Sequence, residues 1–467
     1  MHRNDFLKLL GLVVATLTFP MVGRCADAAV QTLEPAAAPA GKQTQTSHLF
    51  GAAQGRPNIL LILVDDLGYG DVGVQGCKDF ATPHMDSIAK AGWRFTNGYV
   101  AAPVCGPSRA SLLTGRHPCR ILPYEGNPPP GSDTGLPLAH KLMSDYLKQS
   151  GYRTAALGKW HLGESPRHHP LARGFDEFYG FLAGMHSYLK AEDEKWGPLL
   201  RGREKTGLEK YLTFALADEA CAFIRRKAPE PYFLYLAFNA PHVPLEAPDD
   251  YLAKSKHLAD PRRRAFAAMT MALDDAIGRV LATVRESGQE QNTLVVFLSD
   301  NGAALIPGSA ENGGCNDPLR GSKAQLWEGG IRIPFFMQWT GHFAAGKVED
   351  TPISSLDLLP TLLAVAGTPA PSDAKFDGLN LLPWLAGESA APARERLYWK
   401  FGPLQYAVRE GDLKLVRVNA EKGLFNLQQD VGEKNDRTAQ RPTLARQLDT
   451  DWKKWDADNL VPSRRKP

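Results

Sequence analysis

Four short apolar runs in this sequence each stop abruptly at polar residues, and this pattern constrains the fold more than any other feature. The runs cover residues 59–64, 154–157, 232–238 and 293–298. Uninterrupted apolar runs of this length are typical of strands that are buried on both faces of a parallel sheet. In such sheets ligands bind at the carboxyl ends of the strands. The polar side chains that we expect at that edge are Asp65, Asp66, Lys159, His161, His242, Asp300 and Asn301.

Helical segments alternate with these runs, so the sequence predicts an α/β fold with a large, mostly parallel sheet flanked by helices. One helix is expected after Thr82, the predicted N-cap, with Pro83 at its first position and Gly92 at its end. The other segments with helical apolar spacing are 138–149, 212–227 and 265–287.

The pattern changes after about residue 370. The proline-containing stretch 368–373 indicates a connection. We therefore expect a main domain over 56–370 and a smaller C-terminal α+β subdomain with an antiparallel sheet over 371–467. The segments that indicate this subdomain are the strand-like stretches 396–399 and 413–416 and the helix-like stretch 442–458.

The first 28 residues have the pattern of an export signal. A basic start is followed by an uncharged stretch over 9–23 and by a small-x-small cleavage site at 26–28. The uncharged stretch is shorter than the about 20 residues that a transmembrane helix needs, although a short uncleaved anchor is an alternative. Residues 29–55 have the composition of a disordered linker. We expect an exported protein, periplasmic or secreted, with no membrane span after signal cleavage.

Charge and cysteine content limit the function classes further. The chain has 54 Lys and Arg against 51 Asp and Glu, and this net charge of +3 argues against a general nucleic-acid binder. Of six cysteines, Cys25 would leave with the signal, so five would remain and at least one thiol would have no internal partner. Cys221 lies in an apolar helical stretch, where we expect a buried thiol.

The segment 105–116, CGPSRASLLTGR, has the chemistry of an anion site. Pro107 can start a helix, which places Cys105 just before the helix N-terminus, where backbone N–H groups favour anions. Arg109 lies in the first turn and can reach an oxyanion. From spacing alone, an equally good interpretation is that Cys105 is a structural cysteine that precedes an ordinary helix.

This segment resembles the signature of type I sulfatases in the alkaline phosphatase superfamily. The resemblance extends from residue 57 to about 367, and segments 300–306 and 321–330 are similar to the branch of N-acetylgalactosamine-6-sulfatase and arylsulfatase A. The resemblance implies a mixed, mostly parallel sheet and a sulfatase catalytic domain over 56–370. It also implies that a formylglycine-generating or sulfatase-maturing enzyme converts Cys105 to Cα-formylglycine.

Two pairs of oxygen ligands follow two of the apolar runs, namely Asp65 with Asp66 and Asp300 with Asn301. All-oxygen coordination favours a hard cation, Ca²⁺ or Mg²⁺, over zinc. A single pair of this kind is commonly part of a solvated turn or a helix cap and binds no metal. Two pairs that each follow an apolar run make this alternative much less plausible. The resemblance implies one Ca²⁺ that is held by Asp65, Asp66, Asp300 and Asn301 together with residue Cys105. Asp71 is expected to be a loop residue outside the site.

Four further residues match the cation-rich positions of the family. Lys159 and His161 should point to the same side if both lie on a strand. The resemblance implies that hydrated formylglycine, held by Arg109, attacks the sulfur while Lys159 and Lys323 stabilise the sulfuryl oxygens. It further implies that His242 protonates the leaving alcohol and that His161 acts as the base.

The expected function is hydrolysis of a sulfate ester on a carbohydrate or an aryl group, with a sulfated glycan or glycosaminoglycan fragment favoured. One alternative is a phosphodiesterase or phosphonate monoester hydrolase on the same scaffold. Another is a catalytically silent glycan-binding relative in which Cys105 is not converted. Within the expected rim over 181–203, four residues would either contact a sugar or simply pack the loop: His186, Ser187, Tyr188 and Trp196.

Overall fold

The computed structural model describes residues 55–123, 126–226, 228–308 and 311–459. The signal peptide predicted over 1–28 and, apart from Gly55, the linker predicted over 29–55 lie outside the described residues. None of the helices in the described part of the chain combines the length and the apolar composition that a membrane-crossing segment needs.

Ten strands of the described chain form one mixed sheet, and four more form a second, antiparallel sheet. The strands are, in chain order, β1 Asn58–Val64, β2 Trp93–Phe95, β3 Gly98–Tyr99, β4 Arg153–Lys159, β5 Glu177–Phe181, β6 Glu192–Asp193, β7 Gly197–Pro198, β8 Leu200–Arg201, β9 Glu204–Lys205, β10 Tyr232–Ala237, β11 Thr293–Ser299, β12 Phe335–Gln338, β13 Lys347–Glu349, β14 Ile353–Ser354, β15 Leu397–Phe401, β16 Gln405–Glu410, β17 Leu413–Val418 and β18 Glu421–Asn426.

The main sheet has the spatial order β13-β2-β12-β11-β1-β10-β4-β5-β8-β9. The four apolar runs became β1, β4, β10 and β11, which are adjacent and parallel. The next strand, β5, is parallel to β4, and antiparallel strands lie outside these five, since β12 pairs with β11 and β8 pairs with β5. The predicted mixed, mostly parallel sheet is therefore confirmed, and the carboxyl ends of the four central strands share one edge.

Helices cover both faces of this sheet. Side chains of β1 alternate between two apolar cores, so that Leu61 packs in one and Ile62 in the other, and both are fully buried. This double burial explains why the strand reads as an uninterrupted apolar run. The α-helices are α1 Pro83–Ala91, α2 Cys105–Thr114, α3 Pro118–Ile121, α4 Met143–Gln149, α5 Leu212–Arg225, α6 Asp249–Lys254, α7 Pro261–Glu286, α8 Glu328–Ile331, α9 Leu358–Val365, α10 Leu382–Leu385 and α11 Pro442–Asn459.

Two predicted helix starts differ from the structure. The segment 138–149 is helical only from Met143, because the Asp145 carboxylate accepts the Leu142 N–H (2.8 Å) and caps the helix there. Helix α7 begins at Pro261, four residues before the predicted start, with Asp260 as its N-cap. The helix predicted over 212–227 is α5, and Cys221 on it is buried as expected.

The capping of α1 also differs from the prediction. Thr82 does precede the helix, but its hydroxyl is hydrogen-bonded to Asp86 (3.1 Å) and does not cap the helix. The carboxylate of Asp274 on α7 instead accepts the N–H groups of His84 (3.1 Å) and Met85 (2.8 Å). A side chain 190 residues away in sequence therefore accepts the hydrogen bonds of the free N–H groups in the first turn of α1.

The C-terminal part has the predicted antiparallel sheet and closing helix. Strands β15 to β18 pair in chain order, and α11 packs on them through Trp452, which stacks on Tyr406 with ring centroids 4.4 Å apart. The domain boundary near residue 370 stays a prediction.

Candidate active site

The carboxyl ends of β1 and β11 bring four oxygen-bearing side chains together. Asp65 and Asp66 follow β1, while Asp300 and Asn301 follow β11, and all four are buried. The Asp66 N–H donates to Asp300 Oδ1 (3.3 Å), and the Asn301 side-chain amide donates to Asp66 Oδ1 (2.6 Å). The chain turns sharply at Asp66, whose φ of 62° is left-handed. The two pairs therefore lie within hydrogen-bonding distance of each other.

Cys105 faces this group from the first position of α2, because the helix begins at Cys105 and not at Pro107 as the sequence predicts. Its Sγ lies 3.4 Å from Asp65 Oδ1, 3.9 Å from Asp66 Oδ1 and 3.3 Å from Lys323 Nζ. Burial and the neighbouring carboxylates raise the pKa of the Cys105 thiol well above its ordinary value. The residue is therefore a neutral thiol that points at two carboxylates and one ammonium group.

Two lysines neutralise the first pair of carboxylates. Lys159 Nζ lies 2.6 Å from Asp65 Oδ2, and Lys323 Nζ lies 2.8 Å from Asp66. Burial alone would raise the pKa of Asp65, but Lys159 and the other nearby cations hold it well below its usual range. Burial likewise works against the charge of Lys323, but Asp66 outweighs it and raises the pKa of the ammonium group. Asp65 and Lys323 are therefore both charged near neutral pH.

Arg109 provides the third buried cation. It donates through Nε to Asp300 Oδ2 (2.9 Å) and through Nη1 to the backbone carbonyl of Lys159 (3.0 Å). Burial and the charge of Asp65 raise the pKa of Asp300 to about 6, although Arg109 opposes this shift. Arg109 thus connects the ends of two strands, β4 and β11.

His161 lies two residues beyond the end of β4, so the expectation that Lys159 and His161 share one face of a strand is wrong. Its φ of 59° is left-handed, and its N–H donates to the Leu182 carbonyl (3.0 Å). A Cβ at Gly184 would lie 2.5 Å from His161 Nε2, so the imidazole packs directly against this glycine. Burial, together with the charge of Lys159, lowers the pKa of His161 well below its ordinary value, and the ring is neutral.

His242 follows β10 at the same edge of the sheet. Its Nδ1 lies 2.7 Å from the Val243 carbonyl, so Nδ1 carries the proton, and Nε2 lies 3.6 Å from Asp66 Oδ2. The Tyr188 hydroxyl lies 2.8 Å from the His242 carbonyl and 2.7 Å from that of Asn239, which fixes this turn. Burial lowers the pKa of His242 to about 4, so this ring is also neutral near pH 7.

The donor set fits a hard divalent cation. Ligand atoms of Asp65, Asp66, Cys105 and His242 lie within 4.8 Å of one another. Asn301 Oδ1 is buried and has no hydrogen-bond partner among the described residues. Carboxylate and amide oxygens are the ligands that Ca²⁺ and Mg²⁺ prefer, so this part of the site has the chemistry of a metal centre.

A cavity of about 350 Å³ adjoins these residues. Neither Arg109 nor Lys159 lines it; their charged groups lie instead against the carboxylates of Asp300 and Asp65. The predicted site residues that do line it are Cys105, His161, His242 and Lys323. A ligand in the cavity would therefore meet two neutral imidazoles, one ammonium group and residue 105.

Of the four rim residues considered from the sequence, Trp196 lines the cavity. His186, Ser187 and Tyr188 are buried, and His186 stacks on Phe181 with ring centroids 5.0 Å apart. These three residues therefore pack the loop, which is one of the two roles that the sequence left open for them.

Two residues that the sequence did not single out hold the site in place. Asn127 Oδ1 accepts the Gly106 N–H (2.8 Å) at the start of α2. Gln405 on β16 donates to the carbonyl of Ala324 (2.9 Å), next to Lys323. The partners are 21 and 81 residues apart in sequence, so no local pattern could have indicated these contacts.

Asp71 lies outside this group of residues. It belongs to a 3₁₀ helix over Tyr69–Asp71 and not to a loop, and Arg263 Nη1 lies 2.5 Å from its carboxylate. Burial raises the pKa of Asp71 to about 6, while Arg263 opposes this shift.

A family model described as Sulfatase matches residues 57–368, and one described as N-sulphoglucosamine sulphohydrolase, C-terminal, matches 322–454. The chain is 40% identical to N-acetylgalactosamine-6-sulfatase of Homo sapiens, over 70% of this chain and 66% of that protein. It is 35% identical to arylsulfatase A of Homo sapiens, over 77% of this chain and 74% of that protein. The chain spans about two thirds of the length of the first of these relatives.

Among solved structures, the crystal structure of Ps i-CgsB in complex with k-i-k-neocarrahexaose is similar to this one. The TM-score is 0.83 at 38% sequence identity, and the match covers 87% of this chain and 94% of that chain. The resemblance carried by the 105–116 segment, the family model over 57–368 and the shared fold agree. The chain therefore belongs to the sulfatase family.

Proposed function

We propose that this protein hydrolyses sulfate esters of carbohydrates in the cavity above Cys105. The observation that carries the proposal is the meeting of Cys105 Sγ with the Lys323 ammonium group (3.3 Å) and the Asp65 carboxylate (3.4 Å) at the cavity floor. Membership of the sulfatase family supports the reaction class. The similarity to a structure that contains an oligosaccharide supports a sugar as the leaving group.

The cations of the site suit a sulfate ester. Lys323 lines the cavity and would contact the sulfuryl oxygens directly, with Lys159 adding positive charge from behind. Preorganised charge of this kind stabilises developing negative charge without reorganisation during the reaction. Arg109 keeps Asp300 in place, and through it the end of β11.

We assign proton transfer to the two histidines. The bound ester brings negative charge next to His242, which favours the protonated ring, and its Nε2 would then donate to the leaving alcohol oxygen. His161 is neutral, and its Nδ1 has no hydrogen-bond partner among the described residues. We assign it as the base for the second half of the reaction.

The nucleophile and a further positive charge would come from residue 105 and from a divalent ion. Formylglycine at position 105 would provide a hydrated aldehyde as the nucleophile, and Ca²⁺ would add positive charge beside it. Asp65, Asp66, Asp300 and Asn301 would hold the ion. Since Cys105 is fully buried, a formylglycine-generating or sulfatase-maturing enzyme would have to act on it before the chain folds. The export predicted from the N-terminus agrees with an extracellular or periplasmic glycan substrate.

The proposal is tested with protein produced alongside a maturing enzyme. Mass spectrometry of the peptide that contains residue 105 should detect the aldehyde, and the protein should release sulfate from 4-nitrophenyl sulfate and from sulfated sugars. Cys105→Ala should abolish turnover, whereas Leu189→Ala, which changes an exposed residue away from the cavity lining, should not. Full activity of Cys105→Ala, or faster hydrolysis of an aryl phosphodiester than of the aryl sulfate, would contradict the proposal.

A further inference from the structure

A single tyrosine hydroxyl contacts both ends of the turn that carries His242. The turn covers residues 239–242 after β10, and the His242 N–H closes it by donating to the Asn239 carbonyl (2.9 Å). The Tyr188 hydroxyl lies 2.7 Å from this same carbonyl and 2.8 Å from the carbonyl of His242. A side chain 54 residues earlier in the chain therefore bridges the first and the last residue of the turn.

Tyr188 is itself fixed at its backbone and at its ring. Its N–H donates to Glu246 Oε2 (2.7 Å), and its carbonyl accepts the Leu212 N–H (2.9 Å). The ring is fully buried and stacks on Tyr211, with ring centroids 5.4 Å apart and an interplanar angle of 18°. Burial raises the pKa of the Tyr188 hydroxyl well above its ordinary value, so this group stays protonated and acts as a donor. The hydroxyl is therefore held in one place beside the turn.

The position of the His242 ring depends on this turn. The ring lines the cavity, and its Nδ1 donates to the Val243 carbonyl (2.7 Å). Because Val243 is the next residue, this bond orients the ring within its own segment but does not fix that segment against the sheet. The Tyr188 hydroxyl supplies a contact from outside the segment, and the Asp65 N–H, which donates to the Ala240 carbonyl (3.2 Å), supplies another.

We infer that Tyr188 is a positioning residue for His242, whose hydroxyl holds the turn so that His242 Nε2 reaches the oxygen of the leaving alcohol. This inference rests on the proposed function, in which His242 protonates that oxygen. Proton transfer requires the two atoms to lie at hydrogen-bond distance, so a displacement of about 1 Å would slow this step without removing a charge from the site. Lys323 lies on a different segment, so sulfate binding should not depend on Tyr188.

The first test uses a series of aryl sulfates from 4-nitrophenyl to 4-methoxyphenyl sulfate. The 4-nitrophenolate ion is a stable leaving group, whereas departure of 4-methoxyphenolate depends more on protonation. Tyr188→Phe keeps the stacked ring, and it should lower kcat by at most about threefold on 4-nitrophenyl sulfate but by about tenfold or more on 4-methoxyphenyl sulfate. KM and inhibition by inorganic sulfate should stay unchanged. His242→Ala should show the same dependence on the leaving group more strongly. An equal loss on both substrates, or no loss on either, would overturn the inference.

Tyr211→Phe is the matched control. It removes a buried hydroxyl from the same pair of stacked rings, but this hydroxyl donates to the Glu246 carbonyl (2.9 Å), which lies outside the turn. The variant should therefore hydrolyse both aryl sulfates like the wild type. If Tyr211→Phe shows the same dependence on the leaving group as Tyr188→Phe, the effect comes from loosening of the ring pair and the inference is wrong.

Crystal structures of the two variants provide a readout that does not depend on turnover. The turn over 239–242 should be displaced in Tyr188→Phe and should superimpose on the wild type in Tyr211→Phe. An unchanged turn in Tyr188→Phe would overturn the inference. A wild-type protein that carries formylglycine and releases no sulfate from any of the aryl sulfates would contradict the proposed function instead, and the crystal structures would still decide the role of Tyr188.

Discussion

Lys414 connects the C-terminal sheet to the segment that carries Lys323, and its removal should destabilise the protein measurably. It lies on β17, and its side chain is fully buried. Its Nζ is 2.8 Å from Glu328 Oε1 and 2.9 Å from Glu433 Oε1, and it donates to the Leu326 carbonyl (2.8 Å). One ammonium group thus serves two buried carboxylates and one backbone carbonyl.

Lys414→Met keeps a side chain of similar length and removes the charge. Breaking a buried ion pair by removing one partner costs about 3–5 kcal/mol. Two features favour the lower end of this energy range. Burial raises the pKa of Glu433 to about 7, so this carboxylate accepts a proton readily. Glu328 keeps Arg332 and Tyr99 as partners when Lys414 is removed. We therefore expect the free energy of unfolding to fall by about 3 kcal/mol near neutral pH.

Urea unfolding, followed by tryptophan fluorescence under reversible conditions, provides the measurement. Lys422→Met on β18 is the matched control, because Lys422 is 41% exposed and its ion pair with Asp449 should contribute less than about 1 kcal/mol. Adding Glu433→Gln to Lys414→Met should recover part of the loss, since it removes one of the two uncompensated carboxylates. If Lys414→Met costs no more than Lys422→Met, the buried lysine does not hold this junction together.

Four further outcomes are expected. Because burial raises the pKa of Glu433 to about 7 from an ordinary 4.5, its contribution to stability is present below about pH 4.5 and is lost as the pH rises through 7. Between pH 5 and 8 the wild type should therefore lose stability relative to Glu433→Gln, and parallel unfolding curves would contradict this. Gly184→Ala should lower kcat/KM by about tenfold to a hundredfold, because the added Cβ would lie 2.5 Å from His161 Nε2 and displace the ring. The circular dichroism spectrum should stay unchanged. Unchanged turnover would mean that the ring can move aside. Lys323→Ala should raise KM for the sulfate ester and weaken inhibition by inorganic sulfate, whereas an unchanged inhibition constant would show that Lys323 does not bind the anion. Chelation of divalent ions should abolish turnover and added Ca²⁺ should restore it; turnover that persists after thorough chelation would count against the metal centre.

Local patterns in the sequence were sufficient for the architecture. An uninterrupted apolar run predicts a doubly buried strand because each face of β1 has its own core, as Leu61 and Ile62 demonstrate. Parallel strands of similar length end at one edge, so the polar residues that follow the runs had to meet there. The resemblance of the 105–116 segment to a sulfatase signature likewise depended on adjacent residues alone.

Contacts between distant segments decided the rest. Asp274 replaces Thr82 as the cap of α1, and Gln405 fixes the segment beside Lys323, although neither contact leaves a trace in the neighbouring sequence. The position of His161 past the strand end depends on Gly184, which leaves room for the ring. Apolar periodicity indicates only which side of a helix or strand is buried. The partner of a hydrogen bond or of a charged group depends instead on how segments that are distant in sequence pack together. For that reason the sequence could predict that these residues would meet, while their pairing, protonation and access to the cavity depended on the folded chain.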